Sequence, residues 1–529
     1  MQKKILIIRF GSLGDIVLTS SAITNLKIDQ PDCKVFYLCK EKFRPVVEMI
    51  DGVDKIITVD NNISTFRYLS FLINLDRENF SSVLDLHGNF RSWLARRFIH
   101  ADRKIVYPKR RLERTMAVKK KVIPEHYPHT IDLYNQTVLD LGGRSYLNRP
   151  LLKCTEEVPS DLHQFFKLHK EVILFAPGAA YPTKQFDVSK FAESAISLQK
   201  ERGCGILWAV TKEQESSGNE FQSVPVESIK VLVDTPLQDL TAIIAESDLT
   251  IANDSGIGHI SSAVNTPVIS LFGPTHPVLG FAPRGLYDQV IQVEEPCRPC
   301  SLHGKKECYR EERFCFTRID SERIVKLAKH KLDSCRMKEK AVFIDRDGTI
   351  IVEKHFLSNP DEIEFIEGSV DALAQLQKHE YKLIIVSNQS GVARGKFGEE
   401  TVEKVNCRMV ELLAARKVYI DAVYYCPHHP KGTIPEYSRV CTCRKPSPQM
   451  VEDAIAQFGI NPRQSFVVGD KIDDINLAKV VGAKGILVRT GYGLKHQPIV
   501  DEFSFYHEVK IRDNLAAAEE CINRMICYD

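Results

Sequence analysis

Short apolar runs alternate along the chain with stretches of helical periodicity. KILIIRF, KVFYLC, KIITV and SVLDL lie within the first 90 residues, and EVILFAP, CGILWAV, IKVLV, LTIAND and PVISLFG follow after residue 170. A strand, a helix and another strand in repeated order is the pattern of a parallel sheet packed against helices. The sequence therefore predicts parallel α/β domains.

Two breaks in the alternation predict three domains. The first break lies near residues 150 to 170. The second is the polar segment KLDSCRMKEK (331 to 340), which precedes a new series of apolar runs: AVFID, KLIIVSN, AVYYC, SFVVGD and GILV. A chain of 529 residues accommodates three domains of roughly 150 residues each. We expect domains at residues 1–165, 166–335 and 338–529.

Composition predicts a soluble protein of the cytoplasm. The net charge is +2, and no run of about eighteen apolar residues is present. The segment MQKKILIIRFGS has too short an apolar part and no small-residue cleavage site, so we expect no signal peptide. Cysteines form tight clusters at 297 to 315 and 426 to 443, which favours metal binding or local structure in a reducing compartment.

The third predicted domain contains an ordered set of polar residues at strand ends. Asp345 and Asp347 follow the run AVFI, Ser387 ends KLIIVS, Lys445 lies in CRKPSP, and VVGDKIDD carries Asp470. The C-terminal edge of a parallel sheet presents such groups together. A carboxylate that attacks a phosphoryl group needs nearby positive charge, such as Mg²⁺ and lysine. Any single aspartate of this kind is also explained as a helix cap, but four motifs in order are not.

A second motif lies between these residues. Cys426, His428, Cys441 and Cys443 form C-x-H and C-x-C pairs across a loop rich in Gly and Pro. Three thiolates and an imidazole match a closed, tetrahedral, structural Zn²⁺ site. The alternative is buried cysteines beside a surface histidine. We expect Zn²⁺, in a loop that directs the following residues toward the active site.

The order of Asp345, Asp347, Ser387, Lys445 and Asp470 resembles that of the haloacid dehalogenase superfamily of phosphohydrolases. The resemblance implies that Asp345 attacks the phosphate and becomes the aspartyl-phosphate. It also implies that Asp347 protonates the leaving oxygen and then activates water. Mg²⁺ would be held by Asp345, Asp470 and the carbonyl of Asp347, while Ser387 and Lys445 would hold phosphate oxygens.

With SNQSGVARG, the Cys/His loop and GDK, the resemblance narrows to the D-glycero-D-manno-heptose-1,7-bisphosphate 7-phosphatase family, over nearly all of residues 338 to 529. The histidinol-phosphate phosphatase branch shares the zinc loop and is the closest alternative. The substrate implied is a small phosphosugar, heptose bisphosphate. The family implies further candidates for holding its sugar and phosphates: Asn388, Arg394, Arg444 and Lys471.

The first part of the chain carries three further motifs. KILIIRFGSLGDIVLTSSAITNLK is a strand, a glycine turn and a helix, PGAAYPTKQF contains Lys184, and ANDSGIGH contains Asp254, Ser255, Gly256 and His259. Together they resemble the ADP-heptose:lipopolysaccharide heptosyltransferase family (glycosyltransferase family 9, GT-B fold) over about residues 1 to 330. That family has two Rossmann-like halves, with the nucleotide donor in the second.

This resemblance implies that Asp15 is the general base of an inverting transfer from a nucleotide-heptose donor. Lys184 would neutralise the diphosphate, and Ser255 and Gly256 would contact it. Asp254 either touches the sugar or caps a helix, and His259 is either functional or a core histidine. The family's Gly-Gly-Pro turn is replaced by AVTKEQE and its Arg-Trp by Gln-Phe, so ADP and GDP both remain open as donor nucleotides.

A basic segment lies in the acceptor half. Between 91 and 121 there are twelve Lys or Arg residues and two acidic residues. Such a segment is commonly a solvated face, but it also suits an anionic lipid A-core acceptor at the inner membrane. Nucleic acid is not expected, because no aromatic stacking pattern accompanies the charge. A further cysteine set either binds Zn²⁺ or forms a local loop: Cys297, Cys300, Cys308 and Cys315.

The sequence therefore predicts a bifunctional enzyme of lipopolysaccharide or surface glycan biosynthesis, a phosphatase joined to a glycosyltransferase. The alternative is a phosphatase whose first 335 residues form a binding or docking module without catalysis.

Overall fold

The computed structural model describes residues 3–121, 123, 125, 127–334 and 338–526. These residues form two compact units, Met1–Cys335 and Arg336–Asp529. Each unit is built on parallel sheets, so the predicted α/β fold is confirmed.

The first half of unit 1 is a five-stranded parallel sheet with the order β3-β2-β1-β4-β5. Its central strand, KILII, is buried over four of five residues, because helices cover both faces of such a sheet. The elements of this half are β1 (Lys4–Ile8), α1 (Leu13–Asp29), β2 (Lys34–Lys40), α2 (Arg44–Glu48), β3 (Lys55–Val59), α3 (Thr65–Asp76), β4 (Ser82–Asp85), α4 (Phe90–Phe98), β5 (Arg103–Val106), α5 (Arg111–Lys120) and α6 (Thr130–Asp140).

The second half of unit 1 is a six-stranded parallel sheet with the order β11-β10-β9-β6-β7-β8. Its elements are α7 (Ser160–Leu168), β6 (Val172–Ala176), α8 (Val188–Arg202), β7 (Gly205–Val210), β8 (Ile229–Val233), α9 (Leu237–Glu246), β9 (Leu249–Asn253), α10 (Gly256–Ala263), β10 (Val268–Leu271), β11 (Gln289–Ile291), α11 (Phe314–Thr317) and α12 (Ser321–Ser334). The sequence-predicted division at residue 165 falls inside α7, whose Leu162 and Phe165 are buried in a core shared by both halves.

The two halves of unit 1 meet where α1 packs against α10. Two glycines allow this close approach. A Cβ atom at Gly14 would lie 2.5 Å from the ring of His259, and one at Gly256 would lie 2.7 Å from the side chain of Leu13. The first turns of α1 and α10, which carry the predicted transferase residues, are therefore held against each other.

Unit 2 is a six-stranded parallel sheet with the order β14-β13-β12-β15-β16-β17. Its elements are β12 (Ala341–Ile344), α13 (Ser369–Lys378), β13 (Lys382–Asn388), α14 (Glu399–Ala414), β14 (Ala422–Cys426), α15 (Gln449–Phe458), β15 (Phe466–Gly469), α16 (Ile472–Val481), β16 (Lys484–Val488), α17 (Gly493–Glu502), β17 (Lys510–Arg512) and α18 (Leu515–Ile526). The fully buried β12 lies between β13 and β15, with Phe343 opposite Ile384 on one side and Val467 on the other. The polar residues that follow these three strands thus converge at one edge of the sheet.

Candidate active sites

The centre of the site in unit 2 is the ammonium group of Lys445. Its Nζ lies 2.7 Å from Oδ1 of Asp345 and 2.5 Å from Oδ1 of Asp474, and it donates to the carbonyl of Val386 at 2.8 Å. Lys445 and Asp345 are both 3% exposed. Asn388 fixes the backbone of Lys445 by accepting from its N–H at 3.0 Å. One buried cation thus joins the ends of β12 and β13 to the first turn of α16.

Lys471 supplies a second positive charge. Its Nζ lies 2.8 Å from Oδ1 of Asp470 and 3.4 Å from Oδ2 of Asp345. Burial alone would raise the pKa of Asp345, but the charges of Lys445 and Lys471 outweigh it and lower this pKa to about 2. Asp345 is therefore a carboxylate at neutral pH, the form that a nucleophile requires.

The pKa values of two neighbouring aspartates, Asp470 and Asp474, shift in the opposite direction to that of Asp345. Burial raises the pKa of Asp470 and of Asp474, and the nearby charge of Asp345 adds to the shift in both cases. Asp345, Asp470 and Asp474 offer carboxylate oxygens within 4.8 Å of one another, a set of hard oxygen ligands that fits Mg²⁺. Gly348 borders this set with a φ of +85°, and a Cβ there would lie 2.3 Å from Oδ2 of Asp470. Only glycine fits both restrictions.

The side chain of Asp347 points to a different set of partners. Its carboxylate accepts from both Nε and Nη2 of Arg346, and Nε2 of Gln389 donates to its Oδ2 at 2.8 Å. Gln389 also donates to Oγ of Ser387 at 2.7 Å. The backbone carbonyl of Asp347 faces Nζ of Lys471 at 3.4 Å. The side chain and the carbonyl of Asp347 are therefore available for separate tasks.

A cavity of about 310 Å³ opens onto these groups. Besides the charged cluster, its lining includes Arg444, Phe356 and Tyr492. Arg394, a sequence-predicted substrate contact, is not part of this lining and instead contacts Nε2 of His429 at 3.2 Å. The remaining predicted residues that line the cavity are Asp345, Asp347, Ser387, Asn388, Lys445 and Lys471.

The predicted zinc ligands lie together. The Sγ atoms of Cys426, Cys441 and Cys443 are 3.1 to 3.5 Å apart, and Sγ of Cys443 lies 3.4 Å from Nδ1 of His428. Ligands at about 2.3 Å around a tetrahedral Zn²⁺ lie slightly under about 4 Å apart, so the four groups fit this ion. The hydrogen bond between Cys443 and Cys426 lowers the pKa of the Cys443 thiol and raises that of the Cys426 thiol.

In unit 1, Asp15 lies in the first turn of α1 and forms an ion pair with Arg9. The Ser12 hydroxyl also donates to Asp15, at 2.9 Å. Burial alone would raise the pKa of Asp15, but Arg9 and Ser12 outweigh it and lower the pKa. Arg9 in turn donates to the carbonyl of Leu86 at 2.6 Å. Asp15 is thus an ionised, oriented carboxylate.

Lys184 ends a short 3₁₀ turn and pairs with Asp254, with 2.7 Å between Nζ and Oδ2. Thr275 donates to the same Asp254 oxygen at 2.6 Å. Ser255 is the N-cap residue of α10 and Gly256 is its first helical residue, so backbone N–H groups begin here. His259 is buried, which lowers its pKa. The structure places all five predicted residues near the junction of the two halves.

Arg9 and Arg313 support the site in unit 1 but were not predicted from the sequence. Arg9 has no motif, although its position just before the glycine turn was a usable signal. Arg313 donates to the carbonyls of Pro182, Thr183 and Gln185 and so fixes the turn that carries Lys184. No sequence signal links residues 130 positions apart.

The basic segment is only partly a solvated face. Arg114 is buried and donates to Thr130 at 3.0 Å, Arg96 pairs with Asp85, and Lys121 donates to the carbonyl of Pro299. The four cysteines between 297 and 315 do not form a metal-ligand cluster among the described residues.

Comparison with known proteins matches a different family model to each of the two units. A family model described as glycosyltransferase family 9 (heptosyltransferase) matches residues 68–310, and one described as HAD-hydrolase-like matches residues 442–505. The crystal structure of a family 9 glycosyl transferase from Veillonella parvula covers 63% of this chain and 98% of that chain with 21% identity and a TM-score of 0.50. The first unit therefore has a glycosyltransferase fold, and part of the second matches a HAD-hydrolase-like family model.

The D-glycero-β-D-manno-heptose-1,7-bisphosphate 7-phosphatase of Salmonella typhi is 48% identical over 153 residues, which are 28% of this chain and 81% of that protein. The magnesium and phosphate complex of D,D-heptose 1,7-bisphosphate phosphatase from B. bronchiseptica is 30% identical over 35% of this chain and 99% of its own, with a TM-score of 0.32. The chain belongs to the heptose-1,7-bisphosphate 7-phosphatase family of HAD-like enzymes, fused to a family 9 heptosyltransferase domain.

Removing Arg9 tests the ion pair in unit 1. Arg9→Met leaves Asp15 as an unpaired, mostly buried charge, so unit 1 should lose roughly 3 kcal/mol at pH 7. Because the pKa of Asp15 is lowered in the folded state, this contribution exists above about pH 4 and is lost below it, so the loss should shrink as pH falls. Both tryptophans, Trp93 and Trp208, lie in unit 1, so urea unfolding followed by their fluorescence measures this unit.

The double variant Arg9→Met/Asp15→Asn is the control. It removes the unpaired charge and should recover most of the lost stability. An equal loss at pH 7 and pH 3, or no recovery in the double variant, would contradict the ion-pair account.

Proposed function

We propose that the chain is a bifunctional heptose enzyme. Unit 2 hydrolyses the 7-phosphate of D-glycero-D-manno-heptose 1,7-bisphosphate, and unit 1 transfers heptose from a nucleotide donor to an acceptor hydroxyl. The observation that carries the proposal is the buried Lys445 ammonium between Asp345 and Asp474, in a chain of which 153 residues are 48% identical to the heptose-1,7-bisphosphate 7-phosphatase of Salmonella typhi.

The phosphatase reaction begins with the Asp345 carboxylate. It attacks the phosphorus of the 7-phosphate, an aspartyl-phosphate bond forms, and the bond between phosphorus and the sugar oxygen breaks. Asp347 donates a proton to the leaving sugar oxygen, while Ser387 and Lys445 hold the phosphoryl oxygens. Asp345, Asp470 and the Asp347 carbonyl would hold Mg²⁺, which would supply positive charge to the phosphoryl group.

The second step regenerates the enzyme. Water attacks the aspartyl-phosphate, and the Asp347 carboxylate, now without its proton, accepts the proton of that water. The phosphorus bond to Asp345 breaks and inorganic phosphate leaves. Asn388, Arg444 and Lys471 are suited by position to bind the sugar and the remaining 1-phosphate, because all three line the cavity.

In unit 1, Asp15 accepts the proton of the acceptor hydroxyl as that oxygen bonds to the anomeric carbon of heptose. The bond from that carbon to the nucleoside diphosphate breaks with inversion. Lys184 neutralises the leaving diphosphate, and the N-terminal amides of α10 at Ser255 and Gly256 assist it. Asp254, which pairs with Lys184 and accepts from Thr275, lies beside this group and is the candidate contact for the sugar.

A docking module without catalysis is less well supported. Such a module has no need for an ion-paired carboxylate at α1 and a second charge pair at α10, both at the contact of the two halves. Buried ion pairs contribute little stability compared with apolar packing, which favours a functional reason for them.

The acceptor side of unit 1 combines cations with exposed apolar groups. Phe90 and Trp93 stack at 5.7 Å and are 70% and 47% exposed, and Leu112 and Met116 are exposed one helical turn apart on α5. Arg97, Lys119 and other basic residues adjoin them in sequence. This combination suits a lipid-linked anionic acceptor at a membrane surface. No helix among the described residues has the length and apolar character needed to cross a membrane.

The two activities are predicted to be separable by single substitutions. Asp345→Asn removes the nucleophile and should abolish phosphate release from heptose 1,7-bisphosphate while heptosyl transfer continues. Asp15→Asn should lower heptosyl transfer by about 100-fold or more, the scale of general-base catalysis, with phosphate release unchanged. Phosphate release and nucleoside diphosphate release are measured on the same preparations.

Each variant is the matched control for the other, because each leaves the residues of the other unit unchanged. Phosphate release by Asp345→Asn near the parent rate would exclude Asp345 as nucleophile. Transfer by Asp15→Asn at the parent rate, with both ADP-heptose and GDP-heptose offered, would exclude the proposed base.

The zinc proposal predicts about one Zn²⁺ per chain in protein prepared without chelators. Cys443→Ser should lose the metal, because a hydroxyl is a poor zinc ligand. Cys407→Ser is the matched control, since Cys407 is exposed on α14 and belongs to no metal cluster among the described residues, and it should retain zinc. Elemental analysis that finds no zinc in the parent, or equal zinc in Cys443→Ser, would exclude this site.

A further inference from the structure

The carboxylate of Asp347 is fixed by a side chain that no motif assigns. Nη2 of Arg346 donates to Oδ2 at 2.9 Å and to Oδ1 at 3.1 Å, and Nε of Arg346 lies 3.2 Å from each oxygen. Gln389 adds one donor to Oδ2 at 2.8 Å. Asp347 therefore has its rotamer set from both sides, although its side chain is still 15% exposed toward the cavity.

Arg346 is itself anchored in the protein interior. It is 1% exposed, and its Nη1 donates to Oδ1 of Asn406 on α14 at 2.8 Å. A guanidinium so deeply buried is costly unless its donors are used. Here one nitrogen is used by α14 and the other two by Asp347. The planar guanidinium of Arg346 thus contacts both α14 and the Asp347 carboxylate, so the position of the helix affects that of the carboxylate.

Helix α14, which contacts Arg346 through Asn406, also contacts the Cys/His loop at its N-terminal residue Glu399. Glu399, Glu403 and Asn406 lie at i, i+4 and i+7, on one face of α14. Glu399 accepts from the hydroxyl of Tyr425 at 3.0 Å and from that of Tyr437 at 2.8 Å. Tyr437 lies in the segment between Cys426 and Cys441, with its ring 6.0 Å from that of His428. Helix α14 is therefore held at Glu399 by Tyr425 and Tyr437, and at Asn406 by Arg346.

We propose that Arg346, held by Asn406, is the positioning residue of the phosphatase: it orients Asp347 toward the leaving oxygen of the substrate. This rests on the role given to Asp347 in the proposed function. Arg346 does not touch the substrate. It acts through the Asp347 carboxyl group, whose Oδ2 receives the shorter contacts, at 2.9 Å from Nη2 of Arg346 and 2.8 Å from Gln389, so that Oδ1 carries the proton to be transferred.

The leaving group provides a test that a merely structural role would not pass. An alkoxide leaving from the sugar needs a proton, whereas 4-nitrophenolate leaves without one. The ratio kcat/KM reports the steps up to transfer of the phosphoryl group to Asp345, so it is unaffected by the later hydrolysis. Arg346→Met should lower kcat/KM for heptose 1,7-bisphosphate by about 100-fold or more. It should lower kcat/KM for 4-nitrophenyl phosphate by less than about 5-fold, because general-acid catalysis is not required there.

Three further variants complete the design. Asn406→Ala leaves Arg346 in place and should show the same selective loss in weaker form. Arg346→Lys keeps the charge without the fork and should recover only part of the activity. Arg408→Met is the matched control, because Arg408 lies on α14 and forms a surface ion pair with Glu411, and it should leave both substrates unaffected.

The outcomes separate this inference from the proposed function. If Asp347→Asn loses activity selectively for the sugar phosphate and Arg346→Met loses both substrates equally, Arg346 is structural and the inference is wrong. Unchanged kcat/KM in Arg346→Met also overturns it. If Asp347→Asn itself shows no selectivity for the leaving group, the proposed general acid is wrong. Should Arg346→Met fail to fold, equal loss on both substrates in Asn406→Ala overturns the inference.

Discussion

The buried ammonium of Lys445 is the interaction on which the phosphatase unit depends. It joins residues from three separate parts of the sequence, Asp345 after β12, Val386 in β13 and Asp474 in α16. Lys471 adds a second positive charge beside it, yet burial and the charge of Asp345 still raise the pKa values of Asp470 and Asp474. An excess of buried negative charge at the end of a parallel sheet is the condition in which a divalent cation binds well.

The same arrangement recurs in unit 1 with fewer charges. Arg9 with Asp15, and Lys184 with Asp254, place one cation and one carboxylate near each side of the contact between the two halves. Burial alone would raise the pKa of Asp15, and Arg9 helps to lower it, which favours the carboxylate form that a general base requires. Both units therefore bury a lysine or arginine beside an aspartate in their predicted sites.

Much of this was accessible from the sequence because it depends on local spacing. Apolar runs of five to seven residues predict the strands, and a strand end followed by Asp-x-Asp predicts where Asp345 lies. The C-x-H and C-x-C pairs predicted four ligand groups that the structure brings within 4.8 Å. Local spacing does not show which residues distant in sequence contact each other in the fold. Arg346 reaches Asn406 over 60 positions, Arg313 supports Lys184 from the other end of its half, and α7 crosses the predicted domain boundary.

The central claim is that the second unit removes one particular phosphate from a sugar bisphosphate. Phosphorus NMR of heptose 1,7-bisphosphate incubated with the full-length protein and Mg²⁺ distinguishes the primary 7-phosphate from the anomeric 1-phosphate directly. The account predicts that the 7-phosphate signal disappears, that inorganic phosphate appears in equal amount, and that the anomeric signal persists. Loss of the anomeric phosphate first, or a bisphosphate that remains intact, would contradict it.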